Sequence, residues 1–254
     1  MAKCERAARE FLAPWHRRAH VTGALVCGSY VTGHPTPRSD IDVQILLAPG
    51  TRWRERGNRV VDGFLIEYFA NSAKQIRAYW KNDHAENRRL TATMFVTGRI
   101  LFDEDGQLKR MISEARRWRR KPLPSRPRTE HERAMYSIWD DVDNLHDAAE
   151  RGAADVPFQY YHGVRFVYET YARFLRQPVL QVDRILGCFR RGGHPEKYLL
   201  DAFPDPDFPP MLLRAIREMQ LPRMPGRLER LAHYVQQEMG GFEVDGWTFR
   251  TPSV

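Results

Sequence analysis

Two carboxylates separated by a single residue are the most informative pattern in this chain. They belong to Asp40 and Asp42, which open an apolar run that continues to residue 47. Side chains two positions apart on a strand point to the same face, so a strand here would place both carboxylates side by side. Mg²⁺ is a hard ion that prefers oxygen ligands and usually shares them with a phosphate. The pattern therefore predicts a magnesium site in an enzyme that moves a phosphate-bearing group.

A glycine and a serine lie twelve and eleven residues before Asp40. Gly28 and Ser29 directly follow the apolar run 21–27, and Gly33 comes five residues after Gly28. Gly28 would let the backbone approach a triphosphate, and Ser29 would present its amide and hydroxyl at a helix N-terminus, where anions are favoured. Ser39 is added as a phosphate contact by its position alone. These three residues are the predicted phosphate-binding set.

A third carboxylate lies in a predicted hairpin. Residues 59–69 contain Asp62-Gly63 between two β-rich runs, which is a strong short-range hairpin signal. Glu67 sits inside the second of those strands. A charge is unusual there, because a central strand beside a helix layer is normally apolar on both faces. Glu67 is therefore a candidate functional residue.

Taken together, these residues resemble the DNA polymerase β-type nucleotidyltransferase superfamily, and in particular its antibiotic and minimal nucleotidyltransferases. The likeness rests on Gly28-Ser29, Gly33 and Ser39-Asp40-Ile41-Asp42, followed by Glu67 on a later strand. It implies that Asp40, Asp42 and Glu67 hold two Mg²⁺ ions. Glu67 would either complete the metal site or act as general base for the acceptor. The implied reaction transfers a nucleoside monophosphate, with AMP from ATP favoured, to an acceptor hydroxyl and releases pyrophosphate.

The pattern of apolar residues predicts an α+β fold with a mixed sheet in the N-terminal part. The predicted strands are 21–27, 41–47, the two arms within 59–69, and 99–102; the predicted helices are 4–19, 29–33, 72–95 and 107–120. We assign residues 1–120 to a nucleotidyltransferase catalytic domain. The basic, proline-rich residues 121–128 cannot continue a helix and form the predicted linker.

Residues 129–254 are predicted to be an α-helical, acceptor-side domain. Apolar residues recur at steps of three and four after residue 135 and again from Tyr161 through Val164 and Tyr168. Shorter helices are predicted at 179–190, 194–203, 209–221 and 225–239, with prolines between them. The result is a helical bundle that follows the sheet.

The charge is unevenly distributed, and it bears on the acceptor. Residues 1–128 contain 25 Lys and Arg against 13 Asp and Glu, a net charge of +12, whereas residues 129–254 have 15 against 19, a net charge of −4. The acidic half, with five carboxylates in residues 140–150, favours a cationic small molecule such as an aminoglycoside-type antibiotic. Most such carboxylates are simply a solvated helix face. Tyr160, His162 and Arg165 offer a further aromatic and basic cluster that could stack on a base or hold phosphate.

The sequence is also compatible with two other functions. The run 109–128 contains nine Lys and Arg against one Glu, and this density would suit an RNA backbone. It motivates nucleotidylation of a protein or a tRNA, as in toxin–antitoxin relatives. The third hypothesis is a non-catalytic nucleotide-binding protein, which the presence of all three carboxylates disfavours.

Composition also bears on location. No apolar stretch approaches the roughly 20 residues that span a bilayer, and the N-terminal ten residues are charged throughout, unlike a secretory signal. Cys4, Cys27 and Cys188 show no paired metal spacing. A cytoplasmic protein without a membrane partner is the expectation. The oligomeric state is left open, with a homodimer as one option.

Overall fold

The structure is a computed structural model that describes residues 2–250. Within that range the chain divides into two compact units. The first ends at Pro122 and also takes in Glu196–Leu200, and the second comprises Leu123–Pro195 and the residues from Asp201 onward. The predicted domain limits at 120 and 128 stay a prediction. Among the described residues, every helix is too short or too polar to span a lipid bilayer.

The first unit is built on a five-stranded sheet. Its strands are β1 Val21–Cys27, β2 Ile41–Leu47, β3 Glu55–Val61, β4 Phe64–Ser72 and β5 Arg99–Asp103. Its helices are α1 Ala2–His16, α2 Ser29–Thr32, α3 Ala73–Ala85, α4 Leu90–Thr97 and α5 Gln107–Arg120. The predicted strands 21–27 and 41–47 and the predicted helix 107–120 match these bounds. With the helices of the second unit, this confirms the predicted α+β class.

The sheet is mixed, with strand order β3-β4-β2-β1-β5. β2 and β4 are parallel, whereas β1 is antiparallel to both β2 and β5, and β3 is antiparallel to β4. Each face of the sheet has its own core, because neighbouring residues of a strand point to opposite faces. One core contains α1 with Val43 and Ile66. The other contains Leu25, Cys27 and Leu46 with α3, α4 and α5.

The predicted hairpin is present, and its turn explains its position in sequence. Val61 pairs with Phe64, so Asp62 and Gly63 form a two-residue loop. Both loop residues have positive φ, 49° for Asp62 and 78° for Gly63. That combination is the type I′ turn, whose twist matches the flanking strands and which favours Asp-Gly. The turn fixes the register that carries Glu67.

The predicted helix 72–95 is wrong as a single element. α3 ends at Ala85 and α4 starts at Leu90, with Asn87 between them at a φ of 52°. Asparagine tolerates this left-handed conformation better than most residues, and it stops a helix where it occurs. Asp83 then accepts a hydrogen bond from the backbone N–H of Thr91, 2.8 Å away, near the start of α4. The apolar periodicity continues through the break and conceals it.

The second unit is helical, as predicted. Its helices are α6 Arg128–Glu150, α7 Val156–Phe174, α8 Val182–Phe189, α9 Phe208–Ile216 and α10 Met224–Glu238. The predicted helix 194–203 is wrong, since that segment holds only a short 3-10 turn, Pro195–Tyr198. A second 3-10 turn, Leu221–Arg223, leads into α10. The prolines in these stretches limit the length of each helix.

The buried stripe of α7 differs by one residue from the predicted one. Tyr160 is fully buried and its hydroxyl donates to the carbonyl of Ala215 over 2.7 Å, whereas Tyr161 is 37% exposed. The prediction placed Tyr161 in the core and left Tyr160 free to stack on a base. Positions three and four before Val164 both fit a helical stripe, and packing against α9 selects Tyr160. Tyr160 is therefore a core residue and not a ligand contact.

Asp205 links three elements of the second unit. Its carboxylate accepts hydrogen bonds from the hydroxyls of Tyr171 and Tyr234, at 2.7 and 2.9 Å. It also accepts from the backbone N–H groups of Asp207 and Phe208, at 2.9 and 3.3 Å, at the start of α9. Burial raises the pKa of Asp205, but these hydrogen bonds outweigh it, and the net shift is downward. The ionised carboxylate thus ties α7 and α10 to the start of α9.

We expect Asp205→Ala to destabilise the second unit by about 1–3 kcal/mol, because it leaves two tyrosine hydroxyls without their acceptor. Since the folded-state pKa lies below the ordinary value of 3.8, the stabilisation is complete above that pH and is lost as the pH falls through the folded pKa. Urea unfolding followed by circular dichroism at neutral and acidic pH measures both effects. Asp201→Ala, at an exposed site, is the control. Equal loss of stability in both variants would contradict the role of Asp205.

Candidate functional site

Three carboxylates converge at one end of the sheet. Asp42 lies on β2 and pairs in register with Glu67 on the parallel strand β4. Asp40 precedes β2 by one residue, so it follows the same alternation as Asp42. One oxygen from each of the three carboxylates lies within 4.8 Å of the other two. The structure therefore brings together the three residues that the sequence singled out as metal ligands.

The thiol of Cys27 lies beside this cluster. Cys27 ends β1 and pairs with Asp42, and its thiol donates weakly to the Asp42 carbonyl over 3.8 Å. Burial raises the pKa of Cys27 well above its ordinary value, and the charges of Asp42 and Asp40 raise it further. Cys27 therefore remains a neutral thiol. The groups available to a cation at this site are carboxylate oxygens.

Gly28 allows the chain to pass close to Asp42. Its backbone has φ 79° and ψ −159°, a conformation that residues other than glycine rarely adopt. A Cβ atom built at this position would overlap the Oδ2 atom of Asp42. Glycine is thus required twice, once by the backbone conformation and once by the neighbouring carboxylate. Gly28, which was predicted to let the backbone approach a triphosphate, therefore lies directly beside Asp42, a predicted metal ligand.

Ser29 and Ser39 flank the cluster on its two connecting segments. Ser29 is the first residue of α2, and its carbonyl accepts from the N–H of His34, 3.0 Å away. Ser39 closes a turn with Thr36: its hydroxyl accepts from the Thr36 N–H at 2.8 Å, and its own N–H donates to the Thr36 carbonyl at 3.0 Å. This turn shapes the loop that delivers Asp40. Contacts of either serine with phosphate stay a prediction.

The sequence reasoning missed a cation at this site. Arg56 on β3 donates from Nη2 to the Oε1 atom of Glu67 over 2.6 Å. The bond to Glu67 raises the pKa of Arg56. The two-residue hairpin turn could have revealed this contact, because it pairs Asn58 with Glu67 and thereby puts Arg56 on the same face two residues away. The counter-charge of Glu67 is thus carried by its own hairpin.

The donor set fits a hard divalent cation. It consists of oxygen ligands, from three half-buried carboxylates that keep contact with solvent. Such oxygens suit Mg²⁺, which keeps several waters and binds through a few carboxylates together with substrate phosphates. A site that gathers like charges without a core function is also one that a cation would stabilise. The chemistry of the ligands therefore agrees with the predicted metal.

The carboxylates predicted to attract an acceptor all belong to α6. Asp140 and Asp141 are half-buried, while Asp143, Asp147 and Glu150 are exposed. Burial raises the pKa of Asp141, and the opposing effect of His162 is smaller. Asp147 forms an ion pair with Arg151 over 2.7 Å. These carboxylates line one helix, α6, and the structure does not gather them into one cluster.

The basic run 109–128 is mostly solvent-exposed. The exposed cations of α5 and its end are Lys109, Arg110, Arg116, Arg117, Arg120 and Lys121. Glu114, the acidic residue of this run, pairs with Arg77 of α3 over 2.9 Å. Arg119 is directed inward, where its guanidinium donates to Thr93 and to the carbonyl of Tyr198. The exposed remainder is a basic helix face.

We expect Gly28→Ala to weaken Mn²⁺ binding by about 100-fold, because the new methyl group would displace the Asp42 carboxylate. Changing a residue that only orients a metal ligand already lowers metal affinity by about 10- to 100-fold. Titration of Mn²⁺ followed by electron paramagnetic resonance measures it. Gly33→Ala is the matched control, since Gly33 also has a positive φ of 86° but open space around its Cβ position. If both variants bound Mn²⁺ equally well, the steric role of Gly28 would be wrong.

One family of known proteins matches the segment that carries this site. The sequence model of the family described as "Nucleotidyltransferase domain" matches residues 4–90, which include all of the phosphate and metal candidates. No curated protein sequence matches the chain. Among solved structures, it is similar to a nucleotidyltransferase-like protein from Exiguobacterium sibiricum 255-15, at 12% identity and a TM-score of 0.47, over 92% of this chain and 74% of that one. The match to the nucleotidyltransferase domain is confined to residues 4–90, the segment that carries Gly28 and the three convergent carboxylates.

Proposed function

We propose that the chain transfers AMP from ATP to an acceptor hydroxyl, with Mg²⁺ as the metal and pyrophosphate as the leaving group. The observation that carries this proposal is the convergence of Asp40, Asp42 and Glu67 within 4.8 Å, next to the glycine that opens α2. Carboxylates gathered in this way can hold metal ions, and metal ions neutralise the negative charge of the reacting phosphates. The matched nucleotidyltransferase domain supports the reaction type.

In this proposal, Asp40, Asp42 and Glu67 hold two Mg²⁺ ions. When bound, the ions would neutralise the phosphates and lower the pKa of the acceptor hydroxyl. The acceptor oxygen forms a bond to the α-phosphorus, and the bond from that phosphorus to the α–β bridging oxygen breaks. The hydroxyl proton passes to solvent, or to Glu67 in the alternative in which Glu67 acts as general base instead of metal ligand. Gly28 and Ser29 position the triphosphate through backbone N–H groups.

The favoured acceptor is a small cationic molecule of the aminoglycoside type. The net charge of −4 over residues 129–254 supports it, as do the exposed carboxylates of α6 at Asp143, Asp147 and Glu150. A cationic substrate is attracted to a surface of opposite sign, and the attraction weakens with added salt. We therefore expect the Michaelis constant for the acceptor to rise with added salt.

A second candidate is a macromolecular acceptor, either a tRNA or a protein. The observation that favours it is the exposed basic face of α5, described above, in which one acidic residue is already paired with Arg77. Such a face suits a phosphate backbone, whose binding falls steeply with salt. A third possibility, a nucleotide-binding protein without catalysis, leaves the presence of three convergent carboxylates without a use.

We expect Asp42→Asn to reduce AMP transfer by at least 100-fold, because it removes one of the shared metal ligands. Release of pyrophosphate from α-labelled ATP and Mg²⁺, in the presence of each acceptor class, measures it. Asp62→Asn is the control, since Asp62 lies in the hairpin turn, where asparagine also adopts a positive φ. Full turnover in Asp42→Asn would refute the metal-dependent transferase.

The acceptor is tested separately with the wild-type protein. Incubation with labelled ATP, Mg²⁺ and either aminoglycosides, bulk tRNA or a bacterial protein extract shows which class retains the label. We expect labelled aminoglycoside. Label on tRNA, lost when Arg116, Arg117 and Arg120 are replaced together by Gln, would instead establish the RNA alternative. Label on protein would establish nucleotidylation of a protein.

A further inference from the structure

Arg56 reaches the third carboxylate from the edge of the sheet. β3 is an edge strand, and in its pairing with β4 Arg56 lies opposite Phe69 while Asn58 lies opposite Glu67. The guanidinium of Arg56 extends diagonally to the Oε1 atom of Glu67, 2.6 Å from Nη2. Its Cζ atom also lies 4.9 Å from the centre of the Phe69 ring. The side chain is therefore held by two contacts on one face of β4.

The contact contributes orientation more than stability. Arg56 is 69% exposed and Glu67 is 21% exposed, and an ion pair so accessible to solvent contributes little to folding. The Phe69 ring limits the positions that the guanidinium can take. A planar guanidinium directs its N–H groups in fixed directions, which an ammonium group does not. One oxygen of Glu67 is thereby fixed in place.

We propose that Arg56 is a positioning residue for Glu67, an inference that rests on the metal-site function proposed above. Arg56 holds the Oε1 atom and thereby restrains the Glu67 carboxylate, one oxygen of which lies within 4.8 Å of an oxygen of Asp40 and an oxygen of Asp42. Without that hold, Glu67 is free to rotate away from two other carboxylates that repel it. Hydrogen bonds to metal-ligating carboxylates typically change metal affinity by 10- to 100-fold.

The test is the affinity of the protein for Mn²⁺ in the absence of nucleotide. We expect Arg56→Ala to weaken it by about 10- to 100-fold, with an unchanged thermal midpoint because the pair contributes little to folding. Arg56→Lys keeps the charge but not the planar fork, and it should recover only part of the affinity. Free Mn²⁺ measured by electron paramagnetic resonance gives the dissociation constant without any assay of turnover. In turnover, the loss should appear as a higher requirement for Mg²⁺.

Arg59→Ala is the matched control for charge. Arg59 lies on the same strand, three residues further on and therefore on the opposite face. Removing it takes away one positive charge near the sheet edge without touching Glu67. Its dissociation constant for Mn²⁺ should equal that of the wild type.

Two further variants separate this proposal from the one on which it rests. Glu67→Gln should weaken Mn²⁺ binding, and adding Arg56→Ala to it should have no further effect if Arg56 acts through Glu67. If neither Glu67→Gln nor Asp42→Asn changed Mn²⁺ binding, the metal site itself would be wrong. If those variants weakened binding while Arg56→Ala left it equal or tighter, the positioning role alone would be overturned, since Arg56 would then be a bystander or a competing cation.

Discussion

The parallel register between β2 and β4 is the constraint on which the site depends. It sets Asp42 directly beside Glu67, although 25 positions separate them in the chain. Because side chains alternate along a strand, a slip of one residue would send Glu67 to the opposite face, among the apolar residues of α1. The register is held by the hydrophobic residues on both faces of β2 and β4, such as Val43, Leu46 and Ile66, which are fully or almost fully buried. A slip would therefore also expose the core.

The hairpin of β3 and β4 allows β4 to pair in parallel with β2. The chain leaves β2, runs out to the edge as β3 and returns through Asp62-Gly63 so that β4 fits between β3 and β2. The type I′ turn determines which residues of β3 lie opposite β4. The same turn therefore sets which residue of β3 reaches Glu67, and the third carboxylate arrives together with its counter-charge.

Three carboxylates within 4.8 Å repel one another in the absence of a cation. The fold tolerates this repulsion because the cluster lies at the end of the sheet, half-exposed, above two separate apolar cores. Solvent weakens the repulsion, and Arg56 compensates part of it. A ligand that binds the folded chain and not the unfolded one would stabilise it further. The arrangement is thus costly for folding alone and useful for binding a divalent cation.

The sequence by itself determined the strands at 21–27 and 41–47, the Asp-Gly turn and the three carboxylates, because each depends on short-range alternation or on turn chemistry. Tertiary structure decided the rest. Asn87 interrupts a continuous apolar pattern, Tyr160 rather than Tyr161 packs against α9, and Asp205 gathers two tyrosines from distant helices. Helical periodicity permits either tyrosine, and no local pattern records a partner that lies far away in the chain. The close approach of Gly28 to Asp42 likewise exists only once β1 and β2 are paired.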